Sequence, residues 1–173
     1  QALEHHFSNT SSFNEQHTNE KWNLWHQEIL QRDQLEENQN FSLKLNWGDA
    51  RLTSQKFSAE CFDLIFLDPF HEKNNAELIT LDFISWLSHL IKPNGLLICS
   101  RTHVSILNSL LKAGFHLGYT SDKSQQVIAS KDKSVFHKYY EIDLTLTPKK
   151  LKPYRDENLC LPHREIVRSR DKE

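Results

Sequence analysis

Apolar residues recur along the chain with two spacings, one typical of helices and the other typical of strands. From Glu20 to about Leu35 they recur at helical spacing and predict an amphipathic helix. From Phe41 to Trp47 they occupy every second position, which predicts a strand with one face wetter than the other.

The run from Phe62 to Leu67 is apolar almost without interruption and stops at Asp68-Pro69-Phe70. Such a run is typical of a strand covered on both faces, as at the centre of a parallel sheet. Proline has no backbone N–H to continue the strand, so the carboxylate of Asp68 is expected at the strand's carboxyl end. Ligands bind at that edge of open α/β sheets, which makes Asp68 the first candidate for a functional site.

Strands and helices are predicted to alternate after this run. Thr80 is placed to cap a helix, Lys92-Pro93-Asn94-Gly95 predicts a sharp break, and Leu96 to Cys99 predicts a second buried strand. A further helix is expected to end at Gly114, which suits a left-handed C-cap. This order predicts right-handed βαβ units and a parallel sheet, so the fold class is α/β.

The pattern changes after Gly114. Short strands are predicted from Phe115 to Tyr119 and from Gln125 to Ala129. The longer alternating stretch from Phe136 to Leu146 fits an antiparallel strand at the sheet's edge. A short basic helix is predicted after Leu161.

Composition bounds the class of protein. The length of 173 residues is enough for one domain with a real core, which we expect over residues 1–147, followed by a basic tail over 148–173. No apolar run approaches the roughly 20 residues of a membrane span. The three cysteines lack Cys-x-x-Cys spacing, which favours reduced thiols in a cytoplasmic protein, and no metal site is predicted. The basic tail fits either contact with nucleic-acid phosphates or a solvated helix surface.

Polar side chains follow three of the predicted strands. Asp49 follows the first, Asp68 the second, and Ser100 with Arg101 the third. Their convergence on one edge of a sheet would form a binding site. For Asp49 two interpretations remain, a cap of the following turn or an acceptor for a ligand amine.

Several of these segments resemble the MnmC-like S-adenosylmethionine-dependent methyltransferases. The resemblance lies in FSLKLNWGDAR, FDLIFLDPF, KPNGLLICS and LLKAGFHLG, with weaker support from PYRDENL near the end. It covers roughly Phe41 onward and implies a Rossmann-like class I methyltransferase sheet, mostly parallel with a C-terminal antiparallel hairpin. Members of the family methylate the aminomethyl group on the wobble uridine of certain tRNAs.

The resemblance also implies roles for individual residues. Asp49 would lie by the adenine amine of S-adenosyl-L-methionine, Ala50 would offer its backbone there, and Asp68 would lie near the transferred methyl as the catalytic carboxylate. The substrate side would be formed by Phe70, Asn75, Ser100 and Arg101. Structural alternatives remain, with Asp68 as a strand-end cap, Phe70 as a core residue and Arg101 as a surface charge.

The implied partners are tRNA as substrate and an FAD-dependent oxidase, either separate or as a fused domain. The glycine-rich cofactor loop of the family has no Gly-x-Gly counterpart in the sequence, so we expect the chain to begin after the first two strands of the sheet. Phe62 to Leu67 would then lack a neighbour and would either aggregate or pair with another chain, for example in a homo-oligomer.

Two other functions fit the same residues. Leu-Asp-Pro-Phe is similar to the Asp-Pro-Pro-aromatic loop of enzymes that methylate other exocyclic amines, although the second proline is missing. A catalytically silent Rossmann-like binding module is the alternative from a different class.

Overall fold

The computed structural model describes residues 24, 27, 34–38, 41–69, 74–100, 104–119, 126–136 and 152–169. Contacts within the chain divide it into two compact units, residues 1–47 and residues 48–173. Two predicted site residues, Phe70 and Arg101, lie outside the described residues, as does most of the helix predicted from Glu20.

The first unit contains a two-stranded antiparallel sheet, formed by β1 (Gln34–Asn38) and β2 (Phe41–Lys44). Leu35, near which the predicted helix was expected to end, lies in β1 rather than in a helix. The strand predicted to reach Trp47 stops at Lys44, and it pairs with β1. Both findings correct the sequence prediction, which assigned no strand before Phe41 and therefore did not include β1 as a hairpin partner.

The second unit contains a four-stranded sheet with the order β3-β4-β6-β5. Its strands are β3 (Phe62–Leu67), β4 (Ile91–Cys99), β5 (His116–Tyr119) and β6 (Val127–Ser130). β3 and β4 run parallel, whereas β6 is antiparallel to both of its neighbours, so β5 and β6 form the expected antiparallel pair. Of the longer strand predicted to follow, only Phe136 is described, and it lies in no strand.

β3 lies at an edge of this sheet, because among the described residues its only partner is β4. Phe66 is 71% exposed and Leu64 is 43% exposed, while Leu67 is buried. The prediction of a covered central strand is therefore wrong for the described part of the chain. The expectation of a strand with one missing neighbour agrees with the observed order.

The turn signal at Lys92 to Gly95 lies inside β4 as a bulge. From Phe62 to Leu64 on β3, the paired residue on β4 advances from Ile91 to Leu96. Gly95 packs tightly there, since an added Cβ would lie 2.7 Å from the Ile91 side chain and 3.0 Å from the carbonyl oxygen of Asp63.

The helices begin and end close to their predicted signals. In the described part of the second unit they are α1 (Ala50–Thr53), α2 (Leu81–Leu90), α3 (Val104–Lys112) and α4 (His163–Ser169). Thr80 caps α2, because its hydroxyl accepts a 3.2 Å hydrogen bond from the backbone N–H of Phe83. Gly114 follows α3 with φ of +88°, the left-handed conformation predicted for it.

The core lies between the sheet and these helices, with Ile84 of α2, Leu97 of β4 and Leu110 of α3 fully buried. Tyr154 and Ile166 from the C-terminal residues join it. The boundary predicted at residue 147 falls in the range 137–151, outside the described residues, and stays a prediction. No helix within the described ranges is long and apolar enough to cross a membrane.

Candidate active site

A cavity of about 430 Å³ lies between α1, the 3₁₀ turn that follows it, β3 and α2. Its size falls within the roughly 300–1,000 Å³ of small-molecule sites. Ala50 and Asp68 both line it, so the turn after Asp49 and the acid at the end of β3 face the same space. The remaining lining is mostly apolar and includes both Ile65 and Phe66, so the cavity lies along β3.

Asp49 is the N-cap of α1. Its Oδ1 accepts hydrogen bonds from the backbone N of Arg51 at 2.9 Å and from Nε of the same residue at 3.1 Å. Its Oδ2 accepts from Nη2 of Arg51 at 2.6 Å. The Arg51 side chain thereby holds the pKa of Asp49 below its ordinary value, so this carboxylate is charged at neutral pH.

The capping interpretation of Asp49 therefore describes its local geometry. Capping does not enclose the side chain, which remains 34% exposed. Arg51 makes four hydrogen-bond contacts to the two carboxylate oxygens, the longest of them 3.2 Å, so a ligand donor would share or replace one of these contacts at the exposed part of Asp49. Asp49 is not among the residues that line the cavity, whereas the next residue, Ala50, is.

Arg51 is buried, with 7% of its surface exposed, and it binds a second carboxylate. Its Nη1 donates to Oδ2 of Asp156 at 2.5 Å and to the carbonyl oxygen of Leu161 at 2.9 Å. The two carboxylates, with Asp49 the stronger influence, raise the pKa of Arg51 above its ordinary value. A buried cation requires such partners, because desolvation without them is costly.

The C-terminal segment that supplies Asp156 is also bound to the start of α2. Arg155 donates from Nε and Nη2 to the two carboxylate oxygens of Asp82, both at 3.0 Å. The backbone N of Asp156 donates to Oδ2 of Asp82 at 2.6 Å. These contacts were not predicted from the sequence. The one signal for them was that PYRDENL, which contains Arg155 and Asp156, and GDAR, which contains Asp49 and Arg51, both resemble segments of the same family.

Asp68 and Ser100 meet at the carboxyl ends of β3 and β4. The Ser100 hydroxyl donates to Oδ1 of Asp68, and the Ser100 backbone N donates to the carbonyl oxygen of Leu67 at 3.3 Å. The side chain of Asp68 is exposed and available to a ligand in the cavity. The structure therefore brings together these two predicted residues at one edge of the sheet.

Asn75 belongs to a different cluster. Its Nδ2 lies 3.5 Å from Oε1 of Glu77, whose Oε2 lies 3.2 Å from Nδ1 of His163 on α4. Asn75 is not among the residues that line the cavity. In the described part of the chain, no group of three or more His, Cys, Asp or Glu side chains is arranged to hold a metal ion.

Comparisons with known proteins identify what the chain is similar to. The sequence pattern of a family described as S-adenosyl-L-methionine-dependent methyltransferase matches residues 13–132. The fold is similar to the crystal structure of MnmC2 from Aquifex aeolicus, with a TM-score of 0.67 and 29% sequence identity. The similarity covers 82% of this chain and 47% of that one, so this chain spans about half the length of its structural relative. No curated protein sequence matches the chain.

These similarities confirm the resemblance to MnmC-like methyltransferases and the Rossmann-like sheet that it implied. They do not address the roles of individual side chains.

Proposed function

Because the chain belongs to the family of S-adenosyl-L-methionine-dependent methyltransferases, we propose that it methylates the aminomethyl group of a modified wobble uridine in tRNA. The observation that carries the proposal is that Ala50 and Asp68 line one cavity. They come from the two segments on which the resemblance depends most. The acceptor is the one that the resemblance to MnmC-like methyltransferases implies, and the structural likeness to MnmC2 supports it.

The residues around the cavity fit the cofactor of the family. Asp49 is not itself a lining residue, but its exposed part would accept a hydrogen bond from an adenine amino group that lies beside the lining residue Ala50. Apolar walls such as Phe57 and Leu87 suit a purine ring. The carboxylate of Asp68 complements a positive charge.

S-adenosyl-L-methionine, when bound, supplies a methyl group on a positively charged sulfur. The protein's part begins with the acceptor, since a primary amine attacks a methyl group only in its neutral form. Asp68 accepts the amine proton, directly or through a relay, and stabilises the ammonium product. The hydrogen bond from Ser100 to Oδ1 orients this carboxylate, and its Oδ2 receives the proton. The largest contribution comes from aligning nitrogen, methyl and sulfur.

The substrate side is proposed to include residues that follow the two strand ends in sequence. Phe70 would stack on the target base or wall the cavity, and Arg101 would contact a phosphate. Asn75 would contact the acceptor, as the resemblance implies, although it is not among the residues that line the cavity.

The proposed partners and location follow from the same assignment. The partners are tRNA, an FAD-dependent oxidase that produces the aminomethyl group, and a second chain pairing along β3. The location is the cytoplasm.

Mass spectrometry of tRNA from a deletion strain tests the acceptor. We expect the 5-methylaminomethyl nucleoside to disappear and the aminomethyl nucleoside to accumulate. Unchanged levels would contradict the wobble-uridine assignment and leave another exocyclic amine as the acceptor.

Calorimetric titration of the folded full-length protein with S-adenosyl-L-methionine tests the enzyme class. We expect saturable heat. A folded protein that gives none would be a catalytically silent binding module.

A further inference from the structure

The guanidinium of Arg51 joins two carboxylates that are far apart in the sequence. One edge, formed by Nε and Nη2, binds both oxygens of Asp49, with distances of 3.1, 3.2 and 2.6 Å. The remaining nitrogen binds Asp156, which lies 105 positions further along the chain. A planar fork of this kind fixes the orientation of its partner as well as its charge.

Exposure falls steadily along this row of charges. The side chain of Asp49 is 34% exposed, that of Arg51 is 9% exposed and that of Asp156 is fully buried. A ligand in solvent can therefore reach Asp49 most readily. Arg51 would influence such a ligand through the carboxylate it holds.

Asp156 is itself a rigid anchor. Its Oδ1 accepts from the backbone N of Cys160 and of Leu161, both at 3.0 Å, while Oδ2 binds Arg51. Its own backbone N is held by Asp82. With its guanidinium bound both to Asp156 and to the carbonyl oxygen of Leu161, the Arg51 side chain has little freedom to turn away from Asp49.

We infer that Arg51 is a positioning residue for the cofactor, which, anchored by Asp156 of the C-terminal segment, holds Asp49 oriented toward the adenine amine. This inference rests on the proposed function, because it takes the ligand of Asp49 to be S-adenosyl-L-methionine. It adds that cofactor binding requires the C-terminal segment, which the lining of the cavity alone does not indicate. The C-terminal residues, which contribute none of the described residues lining the cavity, set the affinity for the cofactor.

The first test is Asp156→Asn, measured by calorimetric titration with S-adenosyl-L-methionine. The variant keeps the shape of the side chain and removes the charge that anchors Arg51, so we expect affinity about tenfold lower. The KM for the amine acceptor should not change. The matched control is Arg155→Gln, which removes the ion pair between the same segment and Asp82 and does not change a partner of Arg51. We expect its affinity to stay within about twofold of that of the wild type.

The second test is Arg51→Lys, which keeps a cation between the two carboxylates but cannot form the fork. It guards against failure of Asp156→Asn to fold, and we expect a similar loss of affinity. NMR of the protein without cofactor gives an independent readout. The Arg51 Nε–H signal should exchange slowly with water in the wild type and be lost in Asp156→Asn.

The outcomes separate this inference from the proposed function. Folded variants that bind S-adenosyl-L-methionine as tightly as the wild type would overturn the inference and leave the methyltransferase assignment intact. An equal loss of cofactor affinity in Arg155→Gln would overturn the inference too. The lower affinity would then come from destabilising the whole C-terminal segment and not from releasing Arg51. A wild-type protein that binds S-adenosyl-L-methionine but does not modify tRNA would overturn only the acceptor.

Discussion

The hydroxyl of Ser100 donates a hydrogen bond to the carboxylate of Asp68, which joins the side chains at the carboxyl ends of two adjacent parallel strands. The contact fixes one oxygen of an otherwise exposed carboxylate at the edge where the cavity opens. An acid held in this way is prepared to receive a proton without a change in its own conformation.

Replacing Asp68 by Asn should abolish methyl transfer and leave the fold intact. Asn keeps the shape and an acceptor for Ser100 but cannot take a proton from an amine. The measurement is the rate of methyl transfer, with the melting temperature recorded alongside. Ser100→Ala is the control, since it removes the orienting hydrogen bond and keeps the carboxylate. We expect it to lower the rate of methyl transfer less than Asp68→Asn does. Normal turnover in Asp68→Asn would mean that the carboxylate only ends the strand.

Replacing Asp49 by Ala should weaken binding of S-adenosyl-L-methionine and also lower stability. Loss of the N-cap costs roughly 1 kcal/mol, so affinity must be measured beside the free energy of unfolding. Asp49→Ser separates the two effects, because serine caps the helix but cannot replace the carboxylate bound by Arg51. We expect Asp49→Ser to recover the stability that the cap contributes but not the part that comes from the ion pair with Arg51, while affinity stays low. Wild-type affinity in both variants would remove Asp49 from the site.

The contribution of Asp49 to stability should depend on pH. Its pKa in the folded protein lies below its ordinary value because the Arg51 side chain stabilises the charged form. In the unfolded chain the value returns to about 3.9. The stabilisation is therefore complete above that pH and is lost as the pH falls through the folded-state pKa.

The check compares urea unfolding of the wild type and Asp49→Ser from pH 7 downward. The difference in unfolding free energy should stay constant to about pH 4 and then narrow. A difference that does not change with pH would show that the ion pair with Arg51 contributes nothing to folding.

Gly95→Ala should destabilise the fold by roughly 1–3 kcal/mol. The new Cβ would meet the carbonyl oxygens of Asp63 and Lys92 at 3.0 and 3.1 Å, and backbone atoms cannot move aside as a flexible side chain can. Asn94→Ala in the same bulge is exposed and should change stability by less than about 0.5 kcal/mol. Equal unfolding free energies for the two variants would contradict the close packing of β3 against this bulge.

Much of the fold could be predicted because its signals are local. The apolar run from Phe62 to Leu67 marks β3 at its observed limits, and Thr80 and Gly114 mark the start of α2 and the end of α3. Spacing and caps depend on neighbouring residues only, so one sequence suffices to locate them.

The relations between distant segments could not be predicted in the same way. The apolar pattern of β3 predicted that both faces are covered, but it does not state how many strands lie beside it, and Phe66 is 71% exposed in the structure. The turn residues Lys92 to Gly95 are compatible with a loop or with the bulge that the structure places inside β4.

The candidate site shows the same division. Asp68 could be identified from the strand that precedes it. The link from Arg51 to Asp156 could not, because an ion pair across 105 positions leaves no periodic trace in a single sequence.

The most direct test of the central claim is methyl transfer by the purified full-length protein to tRNA that carries the aminomethyl wobble uridine. With S-adenosyl-L-methionine present, mass spectrometry of the digested tRNA should show one added methyl group on that nucleoside with the wild type and none with Asp68→Asn. A folded wild-type protein that binds S-adenosyl-L-methionine and leaves this nucleoside unmodified would contradict the account.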